Sequence, residues 1–456
     1  MAQKKIAAVV LAAGKGTRMK SGLPKVLHPL AGRPMIGHLL DTLAALGAAQ
    51  AVVVVGDGAD QVSAAVQGVA HLKIDCVTQE PQLGTAHAVL AARDALSGFD
   101  GDVLVLYGDT PLVSAETLTA LLDVRGGPSA PAVAVLGSRP DDTAEYGRLI
   151  LGDDGALLAI REYGDASPEE LEIDLCNSGM MVVEGARLFG LLEQIGNDNQ
   201  KNEYYLTDIV EAARAQGLRC DAVEGDPEEM IGINSRAQLA EAEWIVQDRL
   251  REAALEAGVT MTDPMTVHLS ADTRLGRDVT VEPGVFFGPG VTVGDNVTIR
   301  AYSHLEGAVV GDSATVGPFA RLRPGTEIGP GARVGNFVEV KKSILEAGAK
   351  ANHLTYIGDA RVGANANVGA GTITCNYDGF LKYRTDIGEG AFIGSNTALV
   401  APVKVGDGAI VGAGSVITGD VEADELALTR APQKGLKGWA ARFRARKAKE
   451  KSAKQG

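Results

Sequence analysis

Up to about Ile231 the chain alternates apolar runs with segments of helical pattern. "AVVVVG" from residue 51, "DVLVLYGD" from 102 and "AVAVLG" from 132 read as buried strands, and "GTAHAVLAARDAL" between the first two reads as helix. Strand and helix in alternation predict a Rossmann-like α/β domain with a largely parallel sheet, over residues 1–232, whose ligands sit outside the carboxyl ends of its strands. "SRAQLAEAEWIVQDRLREAALEAG", Ser235–Gly258, carries a serine able to cap and strong helix formers without proline, so residues 233–260 are expected to form a long linking helix.

After Met261 the period changes to six. Leu275, Val281, Phe287, Val293, Ile299 and Leu305 form one aliphatic series; Val310, Val316, Leu322, Ile328, Val334 and Val340 form a second; Ile387, Ile393, Leu399, Val405, Val411 and Ile417 form a third. Amphipathic helices repeat near 3.6 and strands near 2, so a run of sixes predicts a parallel β-helix over 261–430, each short strand turning one aliphatic residue inward. Each coil buries its apolar face only against its neighbours. From Thr374 to Ile387 the phase slips, which predicts that "NYDGFLKYR" bulges out as a loop. Residues 431–456 form a basic tail, nine Lys/Arg against one acid, expected to be solvated and mostly disordered unless it acts as a basic helix touching an anionic partner.

Bulk properties narrow the class. A chain of 456 residues exceeds one compact core. No apolar run reaches the ~18 residues that span a bilayer, and "MAQKKIAAVVLAAG" reads better as an opening strand than as a signal peptide. Cys76, Cys176, Cys220 and Cys375 are far apart and form no CxxC pair, which fits a cytoplasmic protein without structural zinc. A net charge of −15 argues against nucleic-acid binding by the surface as a whole. No membrane insertion is expected.

The candidate chemistry begins at "LAAGKGTRMKSGLPKVL", which matches neither the Walker loop nor the dinucleotide fingerprint. It is nevertheless strand chemistry feeding a glycine turn with cations at Lys15, Arg18 and Lys25, suited to an anion. "DVLVLYGD" ends a buried strand in Asp109, where a carboxylate can hold a hard cation such as Mg²⁺ beside phosphates, or cap a helix. In the β-helix, His353 falls in a break between regular series with Lys341 and Tyr356 nearby. A lone histidine is more often structural, but in this polar company a neutral imidazole can serve as a base near pH 7.

"LAAGKGTRM" with "LPKVL", then "QLGTAHA" from Gln82, "YGDTPL" from Tyr107, "EYGR" from Glu145 and "CNSGM" from Cys176, resemble the sugar-nucleotidyltransferases. Their order is similar to the branch fused to a hexapeptide β-helix, the bifunctional N-acetylglucosamine-1-phosphate uridyltransferases/glucosamine-1-phosphate acetyltransferases. The resemblance implies that Leu11, Ala12, Ala13, Gly14, Gln79, Gly84 and Thr85 hold uracil and ribose of UTP, with Arg18 and Lys25 on its phosphates. It implies that Gly147, Glu162 and Asn177 hold the N-acetylated sugar, that Tyr107 and Gly108 also bind uridyltransferase substrate, and that Asp109 and Asn234 bind Mg²⁺, with Ser235 left to cap the linking helix. "CNSGM" departs from the expected Asn-Thr-Gly but keeps the hydroxyl.

For the second half the resemblance implies His353 as catalytic base, with Arg323, Lys341, Tyr356, Asn367, Asn376, Tyr377 and Lys382 on the sugar phosphate. Ala370, Asn376, Tyr377, Ser395, Ala413 and Arg430 would bind acetyl-coenzyme A. It also implies a left-handed β-helix, a homotrimer with sites shared between subunits, and a role in supplying UDP-N-acetylglucosamine for peptidoglycan and lipopolysaccharide. Glucosamine 1-phosphate and N-acetylglucosamine 1-phosphate are the implied sugar substrates. Two other readings compete: a single-activity nucleotidyltransferase for glucose or mannose 1-phosphate whose β-helix only assembles, and a non-enzymatic scaffold.

Overall fold

The computed structural model describes residues 5–68, 72–143 and 146–454. Met1–Lys4 of the opening segment and Glu145 of the "EYGR" motif therefore lie outside the described residues. Contacts divide the chain into two compact units, 1–253 with 269–271, and 254–268 with 272–456.

The first unit is built on a mixed sheet. Its strands are β1 (Lys5–Ala12), β2 (Gln50–Val55), β3 (Lys73–Thr78), β4 (Gly101–Tyr107), β5 (Val133–Ser138), β6 (Arg148–Leu151), β7 (Leu157–Arg161), β8 (Cys176–Glu184) and β9 (Cys220–Glu224). The main path runs β9-β5-β8-β4-β1-β2-β3, with β6 and β7 hung from β8. β1 pairs in parallel with β2 and β4, whereas β8 runs antiparallel to β4 and β5, so the sheet is parallel only in its larger part. Period-two alternation puts Ala7, Val9 and Leu11 into one core and Ile6, Ala8, Val10 and Ala12 into the other, so both faces of β1 are covered. At about 25 cal/mol per Å² of apolar surface, each buried valine or leucine contributes roughly 1.5–3 kcal/mol to that packing.

The helix expected as a linker spans Arg236–Glu256. It is more than a spacer: Ala242 and Val246 pack with Ile233, Leu112, Leu30 and Met35 in a third core, and the first compact unit reaches Ala253 rather than 232.

The second unit is a parallel β-helix with three sheets of ten, eight and eight short strands. Thr280 pairs with Thr298, and Phe286 with His304, so one coil is three hexapeptides. Every residue of the three aliphatic series is buried except the half-exposed Leu275. The phase slip is a true excursion: Asn367 pairs with Phe392 across a longer step, and Tyr377 bridges Lys382 across a hairpin whose tip, Phe380, is 90% exposed. The basic tail is helical over Trp439–Ala453, against the expectation of disorder, and buries no residue. Alanine, lysine and arginine favour helix there without any core to pack on. Among the described residues no helix is long and apolar enough to cross a membrane.

Candidate active sites

The carboxyl ends of β1, β3 and β4 open onto two cavities. The smaller, about 360 Å³, is lined by Leu11, Ala12, Ala13, Gly14, Lys25, Gln79, Gly84 and Thr85, and the larger, about 930 Å³, by Arg18, Gly147, Glu162, Asn177 and Asn234. Tyr107 and Asp109 line both. The residues expected around uracil and those expected around the sugar thus fall into separate, adjoining spaces. Gly108 lines neither; its N–H donates to Leu11 O (2.9 Å), tying the two phosphate-side turns together.

The turn after β1 holds because Gly16 sits at φ +58, where an added Cβ would lie 2.8 Å from Lys25 Cβ. Gln82 Nε2 donates to Ala13 O (2.7 Å) and closes the turn from the other side, a contact the sequence did not announce. An amide side chain such as that of Gln79 can offer a base edge both a donor and an acceptor. Its Nε2 instead engages Gly84 O (2.9 Å) and His87 Nδ1 (3.2 Å), which leaves Oε1 as the group free to accept. Burial, then the charges of Glu162 and Asp109, push the Tyr107 hydroxyl's pKa up, so it stays a neutral donor.

Asp109 and Asn234 converge on one point, although 125 residues separate them in sequence. Lys25 Nζ donates to Asp109 Oδ2 in a short ion pair and to Asn234 Oδ1 at 2.8 Å. An ammonium thus stands where two hard oxygens meet, which fits a cation site. Among the described residues no three His, Cys, Asp or Glu side chains form a metal cage. A Mg²⁺ held by Asp109 and Asn234 would therefore take its remaining ligands from phosphate and water, the usual arrangement for that ion. Ser235 caps the long helix, accepting from Gln238 N (3.3 Å), while Gln238 Oε1 accepts from Asn234 N (2.9 Å). The Asn234 carboxamide is thereby released from capping.

Asp208, half-buried at the start of the helix Ile209–Ala215, is pushed up to about 6 by burial, then by Glu211 and Glu162. Its folded pKa lies above the unfolded value, so the charged form is the unfavourable one. The penalty is absent below about pH 4, grows toward pH 6 and is complete above it. Asp208→Asn is expected to raise the thermal midpoint by a few degrees near pH 7.5 and by nothing near pH 4, as calorimetry would show.

In the β-helix, His353 ends the strand Lys350–His353 directly across from Asn336 of the preceding coil. Its Nδ1 lies 2.7 Å from Asn336 Oδ1. With the carboxamide oxygen facing the ring, Nδ1 carries the proton and the Nε2 lone pair is free to take another. Sequence reasoning missed Asn336: this coil is one residue short of eighteen, so the partner sits 17 residues before the histidine, where the regular period points to Gly335.

Register also gathers the cations. Arg323 pairs with Glu339 (3.0 Å), Glu339 is level with Tyr356, and Lys341 Nζ is 3.9 Å from Asp359 Oδ2, to which Asn376 Nδ2 donates. Lys382 belongs to the same group: the neighbouring Lys341 ammonium lowers its pKa. Gly358 makes this possible, since a Cβ there would lie 2.4 Å from the Tyr356 hydroxyl. Glu339 and Asp359, which sequence reasoning also missed, pair with Arg323 and Lys341. Asn367 lies on another face, level with Lys350.

Of the residues expected around coenzyme A, Ala370, Ser395, Ala413 and Arg430 share one edge of the coil with His353, whereas Asn376 lies with the cation group and Tyr377 on the hairpin. Gly371 N donates to His353 O (3.4 Å), Asn396 N to Ala370 O (2.8 Å), Gly414 N to Ser395 O (2.8 Å), and Arg430 Nη1 to Ala413 O (2.7 Å). The same edge continues the other way as an exposed ladder, Tyr302 on Phe319 (5.2 Å) and Phe319 on Phe337 (5.3 Å), ending at Leu354 beside the histidine.

Comparison with known proteins agrees with this division. A family model described as MobA-like NTP transferase domain matches residues 8–207, and one described as bacterial transferase hexapeptide (six repeats) matches 272–307, 307–342 and 384–419. A protein of Paramagnetospirillum magneticum named "Bifunctional protein GlmU" is 61% identical over 454 residues, covering 100% of both chains. Proteins of the same name from Rhodospirillum rubrum (62% identical, 97% of this chain and 98% of the relative) and Sphingopyxis alaskensis (57%, 99% of each) are similar throughout.

Proposed function

We propose, from the premise that this chain belongs to the bifunctional GlmU family, that it makes UDP-N-acetylglucosamine in two steps. The β-helix acetylates glucosamine 1-phosphate from acetyl-coenzyme A; the N-terminal unit then joins the product to UMP from UTP, releasing pyrophosphate. The observation that carries this reading is the pair of unlike sites in one chain: Lys25 between Asp109 and Asn234, and an oriented imidazole beside a cation cluster.

In the acetyl step the His353 Nε2 takes a proton from the sugar amine as its nitrogen forms a bond to the thioester carbonyl carbon. The C–S bond breaks, coenzyme A leaves, and the proton is available to its thiolate. Asn336 keeps Nδ1–H fixed throughout. Arg323, Lys341 and Lys382 hold the sugar phosphate, the arginine bidentately. In the uridylyl step the attacking oxygen is already anionic, so no base is needed and the task is to bring anions together. Mg²⁺ supplies charge neutralisation on the phosphates; Lys25 and Arg18 supply the rest, Gln79 accepts from the base, and Glu162 and Asn177 orient the sugar.

The Tyr302–Phe319–Phe337 ladder supports a homotrimer whose subunits complete the acetyltransferase site, because an exposed apolar edge that runs into His353 suits a second copy of the chain. Replacing all three by serine is expected to shift the sedimentation coefficient to that of a monomer and to lose acetyl transfer with it. A fully active monomer would refute the shared site. The whole reading is tested by incubation with glucosamine 1-phosphate, UTP and Mg²⁺. UDP-N-acetylglucosamine is expected only when acetyl-coenzyme A is added, and product without the thioester would favour a single-activity nucleotidyltransferase.

A further inference from the structure

The segment Glu203–Thr207, which no expected site residue occupies, runs from Glu203, which lines the smaller cavity of the N-terminal unit, to Thr207, which bonds to Glu162 of the larger one. It is tied to the loop beside the nucleotide cavity by three bonds: Tyr204 N donates to Leu83 O, Ala86 N to Tyr204 O and Leu206 N to Thr85 Oγ1, each 2.9 Å. The approach is so close that a Cβ on Gly84, at φ +115, would lie 2.6 Å from Tyr204 O and 2.7 Å from its N. The segment then enters the turn Leu206–Asp208 and the helix after it, so its backbone is fixed at both ends. At its end Thr207, only 7% exposed, donates Oγ1–H to Glu162 Oε1 at 3.1 Å.

We propose that Thr207 is a positioning residue for sugar binding: it holds one oxygen of Glu162 so that the other faces the larger cavity. This rests on the reading of Glu162 as a sugar ligand. A hydroxyl has a single hydrogen, and here it is committed to the carboxylate. A glutamate side chain left free would lose several torsions on binding; one already anchored loses fewer, so the effect belongs in sugar affinity rather than in the chemical step. Anchoring the hydroxyl on the segment that braces Gly84 and Thr85 also means that the sugar ligand and the nucleotide loop share one rigid support.

The test uses the full-length enzyme in the uridylyl direction. Thr207→Val, isosteric but without the donor, is expected to raise KM for N-acetylglucosamine 1-phosphate about tenfold, the scale of one lost hydrogen bond to a charged group. The KM for UTP, kcat and acetyl transfer should stay within about twofold. Thr207→Ser restores the donor and should restore KM, and in a Glu162→Gln background Thr207→Val should add less than about twofold. An unchanged sugar KM in Thr207→Val, a parallel rise in both KM values, or failure of serine to rescue overturns the proposal. Wild-type enzyme that makes no UDP-N-acetylglucosamine would instead overturn the functional reading on which it rests.

Discussion

Asp109→Ala is expected to reduce UDP-N-acetylglucosamine formation by at least about a thousandfold while acetyl transfer continues at the wild-type rate. The carboxylate lies two residues past the end of β4, pairs with Lys25, and shares that ammonium with Asn234. Removing it takes a negative charge from the point where cation and triphosphate must meet. It also leaves Lys25 with a single neutral partner. Asp109→Asn keeps an oxygen but not the charge and should fall between the two. Assaying each half-reaction separately, with N-acetylglucosamine 1-phosphate and with glucosamine 1-phosphate, reads the result. Unchanged uridylyl transfer in Asp109→Ala would remove this residue from the site.

The mirror experiment is His353→Ala, expected to lower acetyl transfer by about 10²–10⁴-fold, the usual contribution of a positioned general base, with uridylyl transfer intact. Asn336→Ala should cost less, about ten- to a hundredfold, because the imidazole remains but its Nδ1 proton loses its partner. An Asn336→Ala enzyme as active as wild type would show that the ring is oriented by something else. Since Asp109 and His353 lie in different compact units, each single substitution should silence one half-reaction alone, and a mixture of the Asp109→Ala and His353→Ala variants should restore the overall conversion.

Much of this was legible before any coordinates. The three series of sixes between Leu275 and Ile417 point to one architecture, because their aliphatic positions, all buried but Leu275, are covered by neighbours one coil away and no other period satisfies them. The apolar runs at 51, 102 and 132 likewise became β2, β4 and β5. The antiparallel course of β8 was not legible, since a strand buried on both faces reads the same in either direction. Groups that act by holding other side chains were hidden for a related reason. Asn336, Asp359 and Thr207 carry no motif of their own, and their roles come from register or from chain segments far away in sequence. The tail was misjudged because a charged, alanine-rich stretch is equally compatible with coil and with an unpacked helix.

The excursion after Asn376 has a wider meaning. The coil leaves its track, presents Phe380 and Leu381 to solvent, and rejoins at Thr385 with Ala360 still its partner, so neighbouring coils pair as though nothing had been added. Length at that point is thus decoupled from the pitch of the prism. Chain length can therefore vary at this point without shifting the register of the coils on either side, since the pairing of Ala360 with Thr385 resumes beyond the hairpin.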